Sequence, residues 1–274
     1  SYNGITTNSN VIVGELQDAL SATKNALTDT YAAGDTVTYI LNLVNTSTGA
    51  FTGLTLSDNL GAYTVNAATV TPLTYVAGSL QFYINGVLQA TPTVAGGPPL
   101  TVTNLNIPAG ANASLIYEAT VNEYAPLGVG GTIVNTATVS GGGLANTVTA
   151  TETITADAAP ALSIVKNLCP ATVTENGQMT YTFTITNMGN TAATAADNVV
   201  LTDTFNPILN PLSATFNGTP WVASTNYTYN TATGLFATGA GQITVPAATY
   251  AQDPTTGTWT ITPGTSTLVV TGTV

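Results

Sequence analysis

Charge is what this sequence has least of. The 274-residue chain contains two lysine or arginine residues, no histidine and 13 acidic residues, which gives a formal net charge of −11. Such a chain lacks the basic surface that nucleic acids and anionic lipids require. It also lacks the imidazole that most often serves as a general base, and it has no GxSxG nucleophile motif. We therefore expect no nucleic-acid partner, no membrane insertion and no enzymatic activity.

Long apolar runs and cysteine pairs are also missing. No stretch of about 18 consecutive apolar residues occurs, so no transmembrane helix is expected. The single Cys169 excludes an internal disulfide framework. The opening SYNGITTNSN has neither the charged nor the apolar region of a signal peptide, and it suits a secreted protein whose signal peptide has been removed. No motif indicates a cofactor or a metal, and we expect neither.

What the sequence does contain is alternation with a period of two, which is typical of β-strands. The stretches DTVTYILNLVN (35–45) and MTYTFTITN (179–187) both place apolar residues at every second position. They belong to a long internal repeat, because ALSATKN (19–25) also matches ALSIVKN (161–167) at the same offset. We predict an all-β chain of two immunoglobulin-like β-sandwich domains.

The second copy of the repeat is incomplete. Val274 corresponds to Val121, but the first copy continues to residue 157 and contains two further strands. The N-terminus resembles those strands, since YNGITT (2–7) parallels VNTATV (134–139) and NVIVGE (10–15) parallels NTVTATE (146–152). The alternative is that this segment is only a linker between repeats.

We therefore divide the chain into a donor-strand segment (1–16), a first repeat (17–157) and a second repeat without its last strands (158–274). Strand donation between copies would complete the second repeat, as in β-augmentation. The residues expected to form the donor strand are Tyr2, Asn3, Ile5, Val11 and Val13.

The motifs GDTVTYILNLVN (34–45), LTLSDNL (54–60) and TIVNTATVS (132–140) resemble a known family. It is the conserved repeat domain of unknown function that occurs in tandem on bacterial and archaeal surface proteins. The second copy departs from the pattern, being one residue shorter at GQMTY (177–181) and lacking the late NTATV element. Members look like stalks, sheaths, adhesin spacers and surface-layer parts. The resemblance implies a structural role at the cell surface.

Three polar residues per repeat fall on the apolar side of their strands. They are Lys24, Asp58 and Asn135 in the first copy, and Lys166, Asp203 and the donor-strand residue Asn3 in the second. Burying such groups is costly unless they pair. One hypothesis is a Lys–Asn isopeptide bond, internal in the first copy and between neighbouring chains in the second. The alternative is a buried Lys–Asp ion pair with asparagine as a hydrogen-bonding neighbour.

The function that these patterns favour is a structural subunit of an extracellular filament or sheath, assembled from copies of itself head to tail. Three alternatives stay open at this point, and the least favoured is an ice-binding face formed by the threonine-rich strands. The chain could be a fragment of a tandem-repeat adhesin stalk or a surface-layer protein. It could also be a glycan-binding module that uses Trp221, Trp259 and the tyrosines of NYTYN (226–230). Glycans and other surface proteins are further candidate partners.

Overall fold

The computed structural model describes residues 19–274. Five predicted donor-strand residues lie outside the described residues: Tyr2, Asn3, Ile5, Val11 and Val13. The regular secondary structure of the described chain is β-strand apart from one short 3-10 turn at Ala195–Asp197, which confirms the predicted all-β fold. Within residues 19–274, no helix has the length and apolar character needed to cross a membrane.

The first unit has fourteen strands, of which twelve build the two sheets of a sandwich and two form a separate hairpin. In chain order they are β1 (Leu20–Ala26), β2 (Thr30–Tyr31), β3 (Thr36–Asn45), β4 (Phe51–Asp58), β5 (Tyr63–Val65), β6 (Ala68–Val70), β7 (Leu73–Tyr75), β8 (Gln81–Ile84), β9 (Val87–Leu88), β10 (Thr93–Ala95), β11 (Leu100–Ile107), β12 (Asn112–Val121), β13 (Thr132–Gly141) and β14 (Val148–Ala156). One sheet has the order β1-β3-β12-β8-β9, with β7 also paired to β12, and the other has the order β10-β11-β4-β13-β14-β2. The hairpin β5-β6 lies outside both sheets.

The second sandwich follows with fewer strands. They are β15 (Leu162–Cys169), β16 (Gln178–Asn187), β17 (Thr202–Thr204), β18 (Leu212–Phe216), β19 (Thr219–Trp221), β20 (Tyr227–Asn230), β21 (Leu235–Thr238), β22 (Thr249–Gln252), β23 (Trp259–Thr262) and β24 (Gly264–Thr273). Its larger sheet has the order β15-β16-β24-β18-β19, and its smaller sheet has the order β17-β21-β20. The hairpin β22-β23 stands apart from both.

The predicted alternation decides which side chains enter the core. On β3, Val37, Tyr39, Leu41 and Leu43 are buried, while the residues between them are half-buried. These side chains meet residues of the opposite sheet, such as Leu56 on β4, in one continuous apolar cluster. The second sandwich has its own core, in which β16 plays the part of β3. Two sandwiches with separate cores are therefore present.

Strand registers show that the two sandwiches are copies. On β1, Leu20 lies opposite Asn45 of β3, and on β15, Leu162 lies opposite Asn187 of β16. Both asparagines are buried, and their side chains make equivalent hydrogen bonds. The Nδ2 of Asn45 donates to Pro108 O at 2.8 Å, and the Nδ2 of Asn187 donates to Pro246 O at 3.0 Å.

The smaller sheet of the second sandwich has fewer strands than the corresponding sheet of the first sandwich. In the first sandwich, β4 lies between β11 and β13, and β14 follows β13. The equivalent of β4 is β17, which pairs with β21 on one side. Among residues 19–274 no strand pairs with its other side. The described part of the second sandwich thus lacks the counterparts of β13 and β14.

A hairpin without a counterpart in the first sandwich joins the two units. The strands β22 and β23 come between β21 and β24 in chain order, and comparison of the two repeats did not predict them. The backbone N–H of Trp259 donates to Glu123 O at 3.0 Å. The indole N–H of Trp259 and the amide of Gln252 both donate to the hydroxyl of Tyr63, at 3.3 and 2.7 Å. The hairpin therefore fastens the second sandwich onto the first.

Candidate functional site

Lys24 and Asp58 meet inside the first sandwich. Lys24 lies on β1 in one sheet and Asp58 ends β4 in the other, so their contact bridges the two sheets. The Nζ of Lys24 donates to Asp58 Oδ2 at 2.6 Å, and both side chains are fully buried. The other carboxylate oxygen accepts the backbone N–H of Leu60 at 2.9 Å, which fixes the carboxylate in place. The predicted burial of both groups is confirmed.

Tyr117 connects this pair to Asn135. Its hydroxyl donates to Asp58 Oδ2 at 2.5 Å and accepts a hydrogen bond from Asn135 Nδ2 at 3.3 Å. Asn135 is completely buried on β13, as predicted. Its Oδ1 has no hydrogen-bond partner in the described chain, and the same holds for the hydroxyl of Tyr39. The side-chain carbonyl of Asn135 is therefore free to accept a proton or a new hydrogen bond.

Burial sets the protonation of the amine. Removal from water lowers the pKa of Lys24 to about 8, and the nearby Asp58 carboxylate only partly offsets this effect. The amine lies 4.9 Å from the ring centroid of Tyr39, which gives the cation a second, weaker partner. Burial also raises the pKa of Tyr117 well above its ordinary value, so the phenol keeps its proton. The site combines a lysine whose pKa is lowered to about 8, a carboxylate and a buried amide.

The equivalent groups of the second sandwich meet in a more open setting. Lys166 Nζ lies 2.5 Å from Asp203 Oδ2, and their side chains are 39% and 18% exposed. The contact is not aligned as a hydrogen bond, and Asp203 Oδ2 is a buried oxygen without a hydrogen-bond partner in the described chain. Lys166 also lies 4.7 Å from the ring centroid of Tyr181, the counterpart of Tyr39.

Lys166 is 39% exposed in the described chain, and its burial in a second sandwich completed by a donor strand stays a prediction. Lys24 lies beneath β14, which packs against β1, and β14 has no counterpart in residues 158–274. The third predicted member of this second site, Asn3, lies outside the described residues. A further difference is that Val270 replaces Tyr117, since Val270 lies opposite Tyr181 as Tyr117 lies opposite Tyr39.

The aromatic residues considered for glycan binding do not share one platform. Trp221 stacks on Phe216 with ring centroids 5.0 Å apart. Trp259 is occupied at the contact between the two sandwiches. Tyr227 is buried in the second core against Phe236. Among the described residues there is no group of three potential metal ligands either.

Comparison with known proteins leaves the family open. No protein-family model matches the chain, and no curated protein matches it. The resemblance to the surface-protein repeat therefore stays a prediction.

The solved structures that are similar at a remote level include the following three. A C-terminal fragment of the major pilin GBS80 of Streptococcus agalactiae is 12% identical with a TM-score of 0.37, over 54% of this chain and 58% of that fragment. BcpA, the major pilin subunit of Bacillus cereus, is 11% identical with a TM-score of 0.37, over 97% of this chain and 72% of BcpA. The collagen-binding domain from a Staphylococcus aureus adhesin is 16% identical with a TM-score of 0.33, over 52% of this chain and 99% of that domain.

The chain spans little more than half of the first of these structures, 58% of the GBS80 fragment. Identities and TM-scores this low assign neither a family nor a function.

Proposed function

We propose that this chain is the structural subunit of an extracellular, cell-surface filament, assembled head to tail by strand donation between copies. The observation that carries the proposal is the exposed inner face of β15. Leu20 on β1 is 1% exposed, whereas its counterpart Leu162 is 39% exposed and Ile164 is 52% exposed. Burying an aliphatic side chain of this size stabilises a fold by roughly 1.5–3 kcal/mol. A strand that covered β15 would recover the part of that free energy that corresponds to the exposed fraction of each side chain.

The free edge of β17 gives the added strand a backbone template. An unpaired strand edge carries open N–H and C=O groups that favour pairing with another strand. In the first sandwich β13 occupies this position, with Ala137 opposite Asp58 and Thr138 opposite Ser57. Residues 2–7 parallel residues 134–139 in sequence. The same register would place Ile5 of a second copy opposite Asp203 and Thr6 opposite Thr202.

This arrangement has a direction, because the donated segment and the accepting sandwich are different surfaces. Such a heterologous contact propagates into an open filament unless the rotation between copies closes a ring. Residues 10–15, which parallel β14, would follow residues 2–7 and cover β15. Each copy would then complete the second sandwich of one neighbour and be completed by another.

A cysteine pair tests the register. In a Cys169→Ser background, Thr6→Cys and Thr202→Cys would lie directly opposite each other, at the spacing that a disulfide spans. We expect a ladder of covalent multimers on a non-reducing denaturing gel. Gly4→Cys with Thr202→Cys is the matched control, displaced by two residues, and should give far less. A disulfide within one chain, seen as a faster-migrating monomer, or the absence of any disulfide would overturn head-to-tail donation.

The buried site of the first sandwich supports a second part of the proposal, an internal isopeptide bond. Neutral Lys24 attacks the side-chain carbonyl carbon of Asn135, and a new C–N bond forms from Nζ. The C–Nδ2 bond breaks, and the proton lost from Nζ passes through the Asp58 carboxylate to the leaving nitrogen, which departs as ammonia. The unpaired Asn135 Oδ1 and the lowered pKa of Lys24 both favour this step. In the second sandwich, Lys166 would react in the same way with Asn3 of the neighbouring copy.

Mass spectrometry tests the bond directly. The intact chain should weigh less than its sequence predicts by one ammonia, and a peptide joining Lys24 to Asn135 should appear after digestion. The variant Asp58→Ala should keep the full mass, while Lys166→Arg should lose the same single ammonia. An intact mass equal to that of the sequence would leave Lys24 as an ion pair. Bonds between copies would give multimers that survive boiling in detergent with reductant.

A further inference from the structure

The outer surface of one sheet of the first sandwich is covered by hydroxyl side chains. They project from β4, β11, β13 and β14, and they are half-buried or exposed. We call this surface the hydroxyl face, and its members are Thr55, Ser57, Thr101, Thr103, Thr132, Thr136, Thr138, Ser140, Thr149, Thr151, Thr153 and Thr155. The strand registers align Thr101, Ser57, Thr138 and Thr149 in one row across four strands.

Among the described residues of β4, β11, β13 and β14, no carboxylate projects from this face. Its strands contain two acidic residues, Asp58 and Glu152, and both lie on inward-facing positions. Asp58 is buried, and Glu152 lies opposite the buried Asn135. The chain as a whole carries a net charge of −11. When two copies meet, surfaces that carry these negative charges repel each other. Two hydroxyl faces can approach without bringing carboxylates together.

The chemistry of the face is self-complementary. A hydroxyl group both donates and accepts hydrogen bonds, so one hydroxyl surface can pair with an identical one. Within the face Thr136 and Thr151 already pair in this way, with their hydroxyl oxygens 2.9 Å apart. Val134, which is 48% exposed, lies beside Thr153 and adds apolar area to the surface.

We propose that the hydroxyl face pairs with the same face of a second copy, in an isologous contact that does not depend on strand donation. Four strands about 4.8 Å apart and about eight residues long, with the flanking β10, give a surface of roughly 500–600 Å². A standard stable interface buries about 800 Å² per partner. The contact is therefore weak for a single pair, and many contacts in parallel would strengthen it.

Crosslinking of the full chain tests this contact. In a Cys169→Ser background, Thr138→Cys places one thiol on the hydroxyl face. Thr38→Cys places one on the outer face of the opposite sheet, beside Glu118. After treatment with a short bismaleimide, we expect covalent dimers of the Thr138→Cys chain at least several-fold in excess of those from Thr38→Cys.

A charge change supplies the control. Adding Thr151→Glu to the Thr138→Cys chain should lower the dimer yield several-fold, because carboxylates would then oppose each other across the contact. Adding Thr120→Glu, on the outer face of the other sheet, should leave the yield unchanged, with circular dichroism reporting the fold in each case. Equal yields from Thr138→Cys and Thr38→Cys, or a yield that Thr151→Glu does not lower, would overturn the pairing.

Discussion

Replacing Asn135 with alanine should give the first sandwich a pH dependence that the native chain lacks. If Lys24 is bonded to Asn135, its nitrogen is an amide and does not titrate. In Asn135→Ala the amine stays free, with a pKa lowered by burial from 10.5 to about 8. Between these values the unfolded chain binds a proton that the folded chain has released. Stability must therefore rise with pH in this window.

The size of the effect follows from the shift. Burial of a charged Lys24 costs roughly 3 kcal/mol below pH 8, at about 1.4 kcal/mol per pKa unit. Raising the pH from 8 to about 9.5 should recover roughly half of that, about 1.5 kcal/mol. The measurement stops at about pH 9.5, because tyrosines of the unfolded chain are about half ionised at pH 10. Tyr31 and Tyr39 lower stability as the pH approaches that value, because burial raises the pKa of both phenols in the fold.

Urea unfolding followed by circular dichroism is the assay, with native chain, Asn135→Ala and Asn135→Ala/Lys24→Met compared across the window. The double variant has no amine to titrate and should be as flat as the native chain. A native chain that gains about 1.5 kcal/mol, as Asn135→Ala does, would refute the bond and support the simple ion pair. A flat Asn135→Ala would refute the argument from burial itself.

Three further results are expected. Asn45→Ala should destabilise the first sandwich by about 2–4 kcal/mol in urea unfolding, because it removes one buried hydrogen bond, to Ile107 O, and three part-buried bonds to backbone groups. Tyr63→Phe should weaken the contact between the two sandwiches, because Gln252 and Trp259 lose their hydrogen-bond acceptor. Small-angle scattering should then report a broader range of shapes. Ile164→Asp should change the stability of the single chain by less than about 0.5 kcal/mol, because Ile164 is exposed, yet it should abolish multimers seen by sedimentation.

Much of the fold could be predicted from alternation and repetition. The burial of Lys24, Asp58 and Asn135 followed from counting along each strand, and no bulge in β1 or β13 disturbs that count. The match of Val121 to Val274 is confirmed by the equivalent registers of β12 and β24. The alternation of side chains between the two faces of a strand depends only on local backbone geometry. It therefore predicts burial correctly wherever the strand stays regular.

Other features depended on contacts that parity does not reveal. Tyr117 lies on the apolar side of β12, where a tyrosine is indistinguishable in sequence from an ordinary core residue. Its hydrogen bonds to Asp58 and Asn135 form only because three strands converge there. The hairpin β22-β23 has no counterpart in the first copy, so comparison of the two repeats could not predict its presence or position. Lys166 is 39% exposed because no strand among residues 19–274 covers β15 as β14 covers β1, whereas the alternation of its own strand predicts burial.

The contrast between the two lysines suggests an order of events for the proposed filament. Lys24 is enclosed by its own chain, so its amine can lose a proton and react as soon as the first sandwich folds. Lys166 is in contact with water, and the asparagine proposed to react with it belongs to another copy. An incoming strand that covers β15 would remove that water and bring the asparagine in the same movement. The reaction between copies would then follow docking and could not precede it. A chain that has not yet found its neighbour would stay chemically inert.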